Sequence, residues 1–229
     1  MLLILLIIII FVRYLVFSFL VDKMVASSRF QKVFSFKRHI NQRKKEITLS
    51  FYSSIIFGVG MYYLYKLWLN ESFSLAGDDF PLWYHPLSII LALLVHETYY
   101  YWLHRIMHHK KLYRFLHKGH HDSVEVSSWT SFSFDPLETI FQVLAFYLII
   151  FTIPLHLYSI LFMLMLMSLS ATINHLNYEV YPKFFRHVFP FNQLIGATHH
   201  ALHHKEFKTN YGLYFTFWDR WMGTQSKKY

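Results

Sequence analysis

Histidine supplies 16 of the 229 residues. Eight of these histidines recur at spacings that can gather imidazoles, and a ninth, His175, falls at the end of a predicted helix. His104 and His108 stand four apart in "HRIMHH". His117, His120 and His121 form "HKGHH", and His200, His203 and His204 form the last part of "HHALHH". His175 stands alone in "NHLNYE". On a helix, residues at i, i+3 and i+4 share a face. His104 and His108 can therefore address one ion. In each H-x-x-H-H triplet the first and last histidines share a face, and the middle one lies beside them. Nine imidazoles exceed what one ion takes, so the set points to two ions a few ångströms apart. The chain has no cysteine, so any metal is held by nitrogen and oxygen donors. Imidazole accepts iron, zinc, copper or nickel, and the ligand type alone does not choose among them.

The elements that must position these residues are apolar. Hydrophobic residues make up 55% of the chain, aromatics 21% and charged residues 15%. That excess of apolar surface predicts a bilayer as solvent. "MLLILLIIIIFVRYLVFSFLV" is long enough to cross a hydrocarbon core of about 30 Å, which takes about 20 residues. It has no basic n-region and no small-x-small cleavage site, so it is expected to be a retained span and not a signal peptide. Residues 47–69 and 82–103 read as a second and a third span. Residues 137–174 read as two helices in a hairpin broken at "TIPLH", where Pro154 ends a helix. Aromatic runs such as "TYYYW" read first as interfacial belt and packing.

Charge orders these spans. The formal net charge is +9, and residues 22–47, 104–136 and 175–229 hold 20 of the 22 Lys and Arg residues. The first of these segments carries Lys23, Arg29, Lys32, Lys37, Arg38, Arg43, Lys44 and Lys45. The loop at 70–82 carries Glu71, Asp78 and Asp79 with no basic residue. The positive-inside tendency puts the basic segments in the cytoplasm. About four crossings return the tail to that face, where all the spaced histidines fall. The basic residues flank apolar runs, which suits lipid headgroups better than nucleic acid, and no nucleic-acid motif is present.

The remaining histidines divide. His39, His85 and His156 read as caps or exposed residues, and His187 leans the same way. His96 lies within the third span beside Glu97. An ionisable residue there is a functional candidate, although one near the span's end can simply be hydrogen-bonded. His109 and His199 adjoin spaced histidines and could substitute for them. Glu97, Asp135, Asn174 and Asp219 are candidates to hydrogen-bond ligand imidazoles, with helix capping or ion pairing as the plainer alternative for each.

"HRIMHH", "HKGHH" and "HHALHH", with "NYGLYFTFWDRWMGT" after the last, resemble the fatty acid hydroxylase / sterol desaturase superfamily. The tail is similar to sterol C5-desaturase members, as is "SSWTSFSFDPLE" after the second box. The resemblance covers roughly residues 90–224. It implies a membrane non-haem di-iron oxygenase that uses O2 and two external electrons to hydroxylate or desaturate a lipid. It carries metal ligation onto His104, His108, His117, His120, His121, His175, His200, His203 and His204. Some hydroxylases of the superfamily have a further histidine four residues after the position of His175. Here that residue is Glu179, which is a carboxylate ligand, an acceptor for a ligand, or neither.

The resemblance also implies an external electron donor, cytochrome b5-like or ferredoxin-like. The basic face suits an acidic carrier. No dinucleotide fingerprint is present: "GVG" at 58–60 lies in a span and has Tyr63 where a third glycine would fall. The expectation is therefore an all-α integral membrane protein with about four transmembrane helices and a cytoplasmic histidine-rich helical cap holding a dimetal centre. It is a single domain over 1–229. Residues 1–89 supply N-terminal spans and a basic loop, and 90–224 supply the catalytic region. The membrane would be the endoplasmic reticulum in a eukaryote or the inner membrane in a bacterium. Fatty-acyl or sphingolipid hydroxylation and alkylglycerol-ether cleavage are the neighbouring activities. A histidine-rich metal transporter is the rival of another class, but transporters place ionisable residues near the midplane.

Overall fold

A computed structural model describes residues 1–26, 30–34, 41–77 and 79–229, with the side chain of Arg186 outside the description. Arg29, Lys37, Arg38, His39 and Asp78, singled out above, lie outside the described residues. The described chain is mainly helical. Helix α1 (Leu2–Ala26) is followed by a two-residue strand β1 (Gln31–Lys32), α2 (Gln42–Leu69) and α3 (Tyr84–Met107). Two single-turn helices, α4 (Tyr113–Leu116) and α5 (Lys118–His121), and a 3-10 turn at Ser128–Phe132 come next. The hairpin α6 (Pro136–Thr152) and α7 (Leu157–His175) leads to β2 (Tyr178–Glu179), then α8 (Ala197–Glu206) and α9 (Phe217–Trp221). The two strands pair antiparallel, Gln31 with Glu179 and Lys32 with Tyr178.

Three helices are long and apolar enough to cross a membrane by length and composition: α1, α2 and α7. The count differs from the sequence expectation at the third span and in the hairpin. Helix α3 has 24 residues, but it spends its inner face on His96, Glu97, Tyr100, Tyr101 and His104, all buried. Helix α6 is apolar but has only 17 residues. The hairpin breaks where Pro154 predicted. Helix α6 ends at Thr152, and α7 begins after His156, whose Nδ1 accepts the amide of Tyr158. Pro136 starts α6 at a position where its missing amide costs nothing. Helix α2 meets α6 closely at Gly60, where a Cβ would overlap Val143, and Tyr147 donates to the Gly60 carbonyl at 2.8 Å.

The membrane-type helices lead into a polar layer that supports the histidines. Gln42, Glu46, Ser50, Ser53 and Ser54 line the buried face of α2. Glu46 accepts from Thr130 at 2.9 Å, and Gln42 donates to the Glu125 carbonyl at 2.8 Å. Tyr14 and Ser18 of α1 donate to the carbonyls of Trp129 and Ser128. The "SSWTSFSFD" stretch is thus clamped from two helices. Buried polar groups need such partners, because leaving one unpaired costs about 1–3 kcal/mol.

Candidate metal centre

The eight spaced histidines converge with His175. His104, His108, His117, His121 and His203 form one group, and His120, His175, His200 and His204 form another. Within each group one ring nitrogen per residue lies within 4.8 Å of all the others. The grouping follows from helix geometry. The i, i+4 pairs 104/108, 117/121 and 200/204 each stay together, as a shared face requires. The middle histidine of each triplet points elsewhere: His120 leaves the group of His117 and His121, and His203 leaves that of His200 and His204. Helices α5 and α8 therefore each serve both groups.

Main-chain acceptors fix the ring orientations. His104 Nδ1 lies 2.9 Å from the Tyr211 carbonyl, His120 Nδ1 3.0 Å from that of Ser133, His175 Nδ1 2.7 Å from that of Ala171, and His203 Nδ1 2.7 Å from that of Thr209. A carbonyl only accepts, so in each of these rings the proton sits on Nδ1 and the lone pair on Nε2. His117 Nδ1 lies 2.8 Å from the buried Glu138 carboxylate. The Nε2 atoms then face one another. His120 and His175 approach at 3.2 Å and His200 and His175 at 2.9 Å. His121 lies 3.0 Å from His203 and 3.1 Å from His108. For His120 and His175 both nitrogens carry lone pairs, so that contact is not a hydrogen bond. Two lone pairs held together need a cation between or beside them. The Nε2 atoms of His104 and His117 are buried with no hydrogen-bond partner, which fits the same reading.

The electrostatics agree. Burial, reinforced by neighbouring imidazoles, holds His117, His121, His200 and His204 well below the usual histidine range. Burial lowers His120 to about 4 and His203 to about 3. All of these rings are neutral at pH 7, which is the form that binds a metal. An all-imidazole donor set suits iron among the borderline metals and offers nothing to a cation that demands oxygen ligands.

The other predicted residues hold the scaffold. Glu97 accepts the amides of Leu213 and Tyr214, the latter at 2.6 Å, and Asp219 accepts those of Tyr211 and Gly212, both at 2.9 Å. Asn174 donates to the Leu213 carbonyl at 2.7 Å. Residues 211–214 are therefore a crossbar gripped by two buried carboxylates and an amide, and its Tyr211 carbonyl orients His104. Asp135 accepts the Gly119 amide at 2.6 Å and sets α5. These four were candidates to contact ligand imidazoles. Their hydrogen bonds go to main chain instead, with the Thr224 hydroxyl also donating to Asp219, because the backbone that carries or faces the histidines is what needs fixing.

Glu179 does not join either group. Its carboxylate accepts from the Thr198 amide at 3.1 Å and the Thr198 hydroxyl at 2.5 Å, at the N-terminus of α8. His199 is buried outside both groups, 3.6 Å from Asp219 and against the Tyr229 ring. His109 accepts a long contact from the Lys111 amide. His187 follows a 3-10 turn. His85 and His156 pack edge to face at 5.2 Å. His96 Nδ1 meets the Tyr214 hydroxyl at 2.7 Å.

Sequence reasoning missed Glu138, the one carboxylate hydrogen-bonded to a grouped histidine among the described residues. It stands in the first turn of a proline-started helix. A carboxylate there is equally well explained by the helix dipole, so its type and place carry no distinct signal. The carbonyls of Ser133, Ala171, Thr209 and Tyr211 have no side-chain signature at all.

Fold and site together define a class: a helical membrane protein with two groups of buried imidazoles that could each hold a metal ion, beside its apolar helices. The sequence profile of the fatty acid hydroxylase family matches residues 89–224, and the chain belongs to that family. It is 34% identical to lathosterol oxidase of Rattus norvegicus over 185 residues, covering 79% of this chain and 60% of that protein. It is 33% identical to methylsterol monooxygenase 1 of Gallus gallus over 152 residues, covering 66% of this chain and 50% of the relative. Identity to a Delta(7)-sterol 5(6)-desaturase of Gibberella zeae is 33% over 149 residues, covering 64% of this chain and 40% of that protein. The matched region thus spans 60% of the length of these relatives or less. No solved structure matches significantly.

Proposed function

We propose that the chain is a membrane lipid oxygenase that hydroxylates or desaturates a sterol-type substrate, with residues 90–224 as its catalytic region in a single domain over 1–229. The observation that carries the reading is the pair of imidazole groups, with the Nε2 lone pairs of His120 and His175 facing each other. The names of the relatives, an oxidase, a monooxygenase and a desaturase of sterols, support the substrate class. His104, His108, His117, His121 and His203 would hold one iron, and His120, His175, His200 and His204 the other. Two irons there would supply activation of O2 with electrons from outside the chain. The protein's own part is to keep nine rings neutral and oriented, to exclude water, and to place one C–H bond of the substrate.

Helices α1, α2, α3 and the α6–α7 hairpin would make about four crossings, with the histidine cap and the basic segments on the cytoplasmic side. That face would receive a cytochrome b5-like or ferredoxin-like donor. Lipid mass spectrometry of cells expressing the protein against cells expressing His203→Ala tests the activity. A new oxygenated or more unsaturated sterol in the first alone is the expected result. Identical lipid profiles in the two, with the protein present and metal-loaded in the first, would overturn the assignment.

A further inference from the structure

An apolar cleft opens along α7, the helix that ends at His175. It has a volume of about 170 Å³ and is walled by Leu93 of α3, by Leu166, Leu169 and Ile173 of α7, and by Ile195 and Phe215. Ser170, Tyr181 and Tyr214 are the polar residues of its lining, and no charged residue lines it. Leu169 is 42% exposed on the outer side of a membrane-type helix, so the cleft's mouth faces hydrocarbon. Ile173 stands two residues before His175, and the rings of Tyr214, His96, Tyr100 and His104 follow one another at 5.5, 6.3 and 5.2 Å.

The Tyr214–His96 pair is one acceptor short. The two side chains share a single hydrogen bond of 2.7 Å, and His96 Nε2 is buried with no partner. If the tyrosine donates to Nδ1, the imidazole proton sits on Nε2 and is unpaired. If Nδ1 donates to the tyrosine, the phenolic proton is left over. Either tautomer of the neutral ring leaves one proton donor of the pair unanswered, Tyr214 is the member of the pair that lines the cleft, and such donors call for an acceptor.

We infer that this cleft seats the substrate, an uncharged sterol entering sideways from the bilayer, with its hydroxyl oxygen accepting the spare proton of the Tyr214–His96 pair. The inference rests on the reading of the chain as a sterol oxygenase. The absence of charge in the lining excludes an ionic headgroup, and the volume is smaller than that of common ligand pockets, so part of the sterol stays in lipid.

Photolabelling of the metal-loaded protein in phosphatidylcholine nanodiscs tests this. The probes are a diazirine-bearing sterol with a free hydroxyl and its deoxy analogue. The hydroxylated probe is expected to label peptides containing Leu169, Ile173 or Tyr214, competed by unlabelled sterol. Tyr214→Phe should weaken that probe about tenfold and leave the deoxy analogue unchanged, the signature of one hydrogen bond. Ser170→Phe, or Leu169→Trp should the first fail to fold, is expected to suppress labelling by both probes. Labelling spread evenly over α1 and α2, labelling that survives both filled-cleft variants, or equal weakening of the two probes by Tyr214→Phe would overturn the inference. His203→Ala should still be labelled. Cleft labelling without any oxidation would count against the proposed activity and leave the cleft standing, whereas sterol oxidation without cleft labelling would do the reverse.

Discussion

His120 and His175 present their Nε2 atoms to each other at 3.2 Å while each is tied at Nδ1 to a main-chain carbonyl. Neither ring can turn or change tautomer without losing its carbonyl. The protein therefore holds two lone pairs in a mutual approach that only a cation makes favourable, and it does so in a buried place where water cannot screen them. This relationship is the physical core of the proposed centre.

His120→Ala removes a ring from the four-membered group, and His203→Ala removes one from the five-membered group. Each is expected to lower bound metal and to reduce lipid oxidation at least about a hundredfold, since each group loses a donor that nothing nearby replaces. Wild-type turnover in either variant would contradict the assignment of that histidine.

Glu138 holds His117 by a buried hydrogen bond at 2.8 Å. Replacing such a partner typically lowers metal affinity or activity about 10–100-fold. Glu138→Ala should fall in that range. Glu138→Gln, which can still accept the Nδ1 proton, should lose less. Metal titration of the purified variants gives the comparison, and an unchanged affinity in Glu138→Ala would remove the carboxylate from the account.

Gly119 stands between His117 and His120, and a Cβ there would overlap the Asp135 carboxylate. That carboxylate also accepts the Gly119 amide. Gly119→Ala should therefore destabilise the protein by about 1–3 kcal/mol and lower its metal content. Adding Asp135→Ser should relieve the overlap and recover part of the thermal midpoint. Full stability in Gly119→Ala alone would show that α5 shifts freely.

Glu179 caps α8, the helix that carries His200, His203 and His204. Glu179→Gln should leave the metal stoichiometry unchanged. Glu179→Ala should cost about 0.5–2 kcal/mol of stability, as loss of a helix cap does. A missing metal ion in Glu179→Gln would instead make the carboxylate a ligand.

Acid should destabilise the metal-free protein. Burial lowers His120 to about 4 and His203 to about 3 from an ordinary 6.5. Between 6.5 and those values the unfolded chain takes up protons that the native state refuses. The native state then binds fewer protons, so stability is full above about 6.5 and declines as pH falls through this window. Thermal unfolding of metal-stripped protein in detergent should show a midpoint several degrees lower at about pH 5 than at about pH 7.5. A flat profile would mean that these rings are hydrated.

Much of the site was legible in the sequence because helix periodicity and histidine spacing express the same geometry. The i, i+4 pairs had to share a face, and the eight spaced histidines converge with His175, whose isolated position carried no spacing signal and which the resemblance alone added. The crossover of His120 and His203 between groups was not legible. It depends on how α5 and α8 face each other across the fold, which no local spacing encodes. The hairpin break was announced by Pro154 because proline acts locally. The roles of Glu97, Asp219 and Asn174 were not announced, since their partners are main-chain groups more than 30 residues away for Glu97 and Asn174 and within a tight local turn for Asp219. Helix α3 read as a span, marked only by His96 and Glu97, because its apolar residues dominate. The buried polar face that serves the site shows only once its neighbours are in place.

The most direct test of the central claim is the metal stoichiometry of the purified wild-type protein, set beside that of His120→Ala and His203→Ala. Two separate imidazole groups predict about two iron ions per chain, with a substantial loss in each variant. A single ion per chain, no bound metal, or full loading in both variants would contradict the two-group centre.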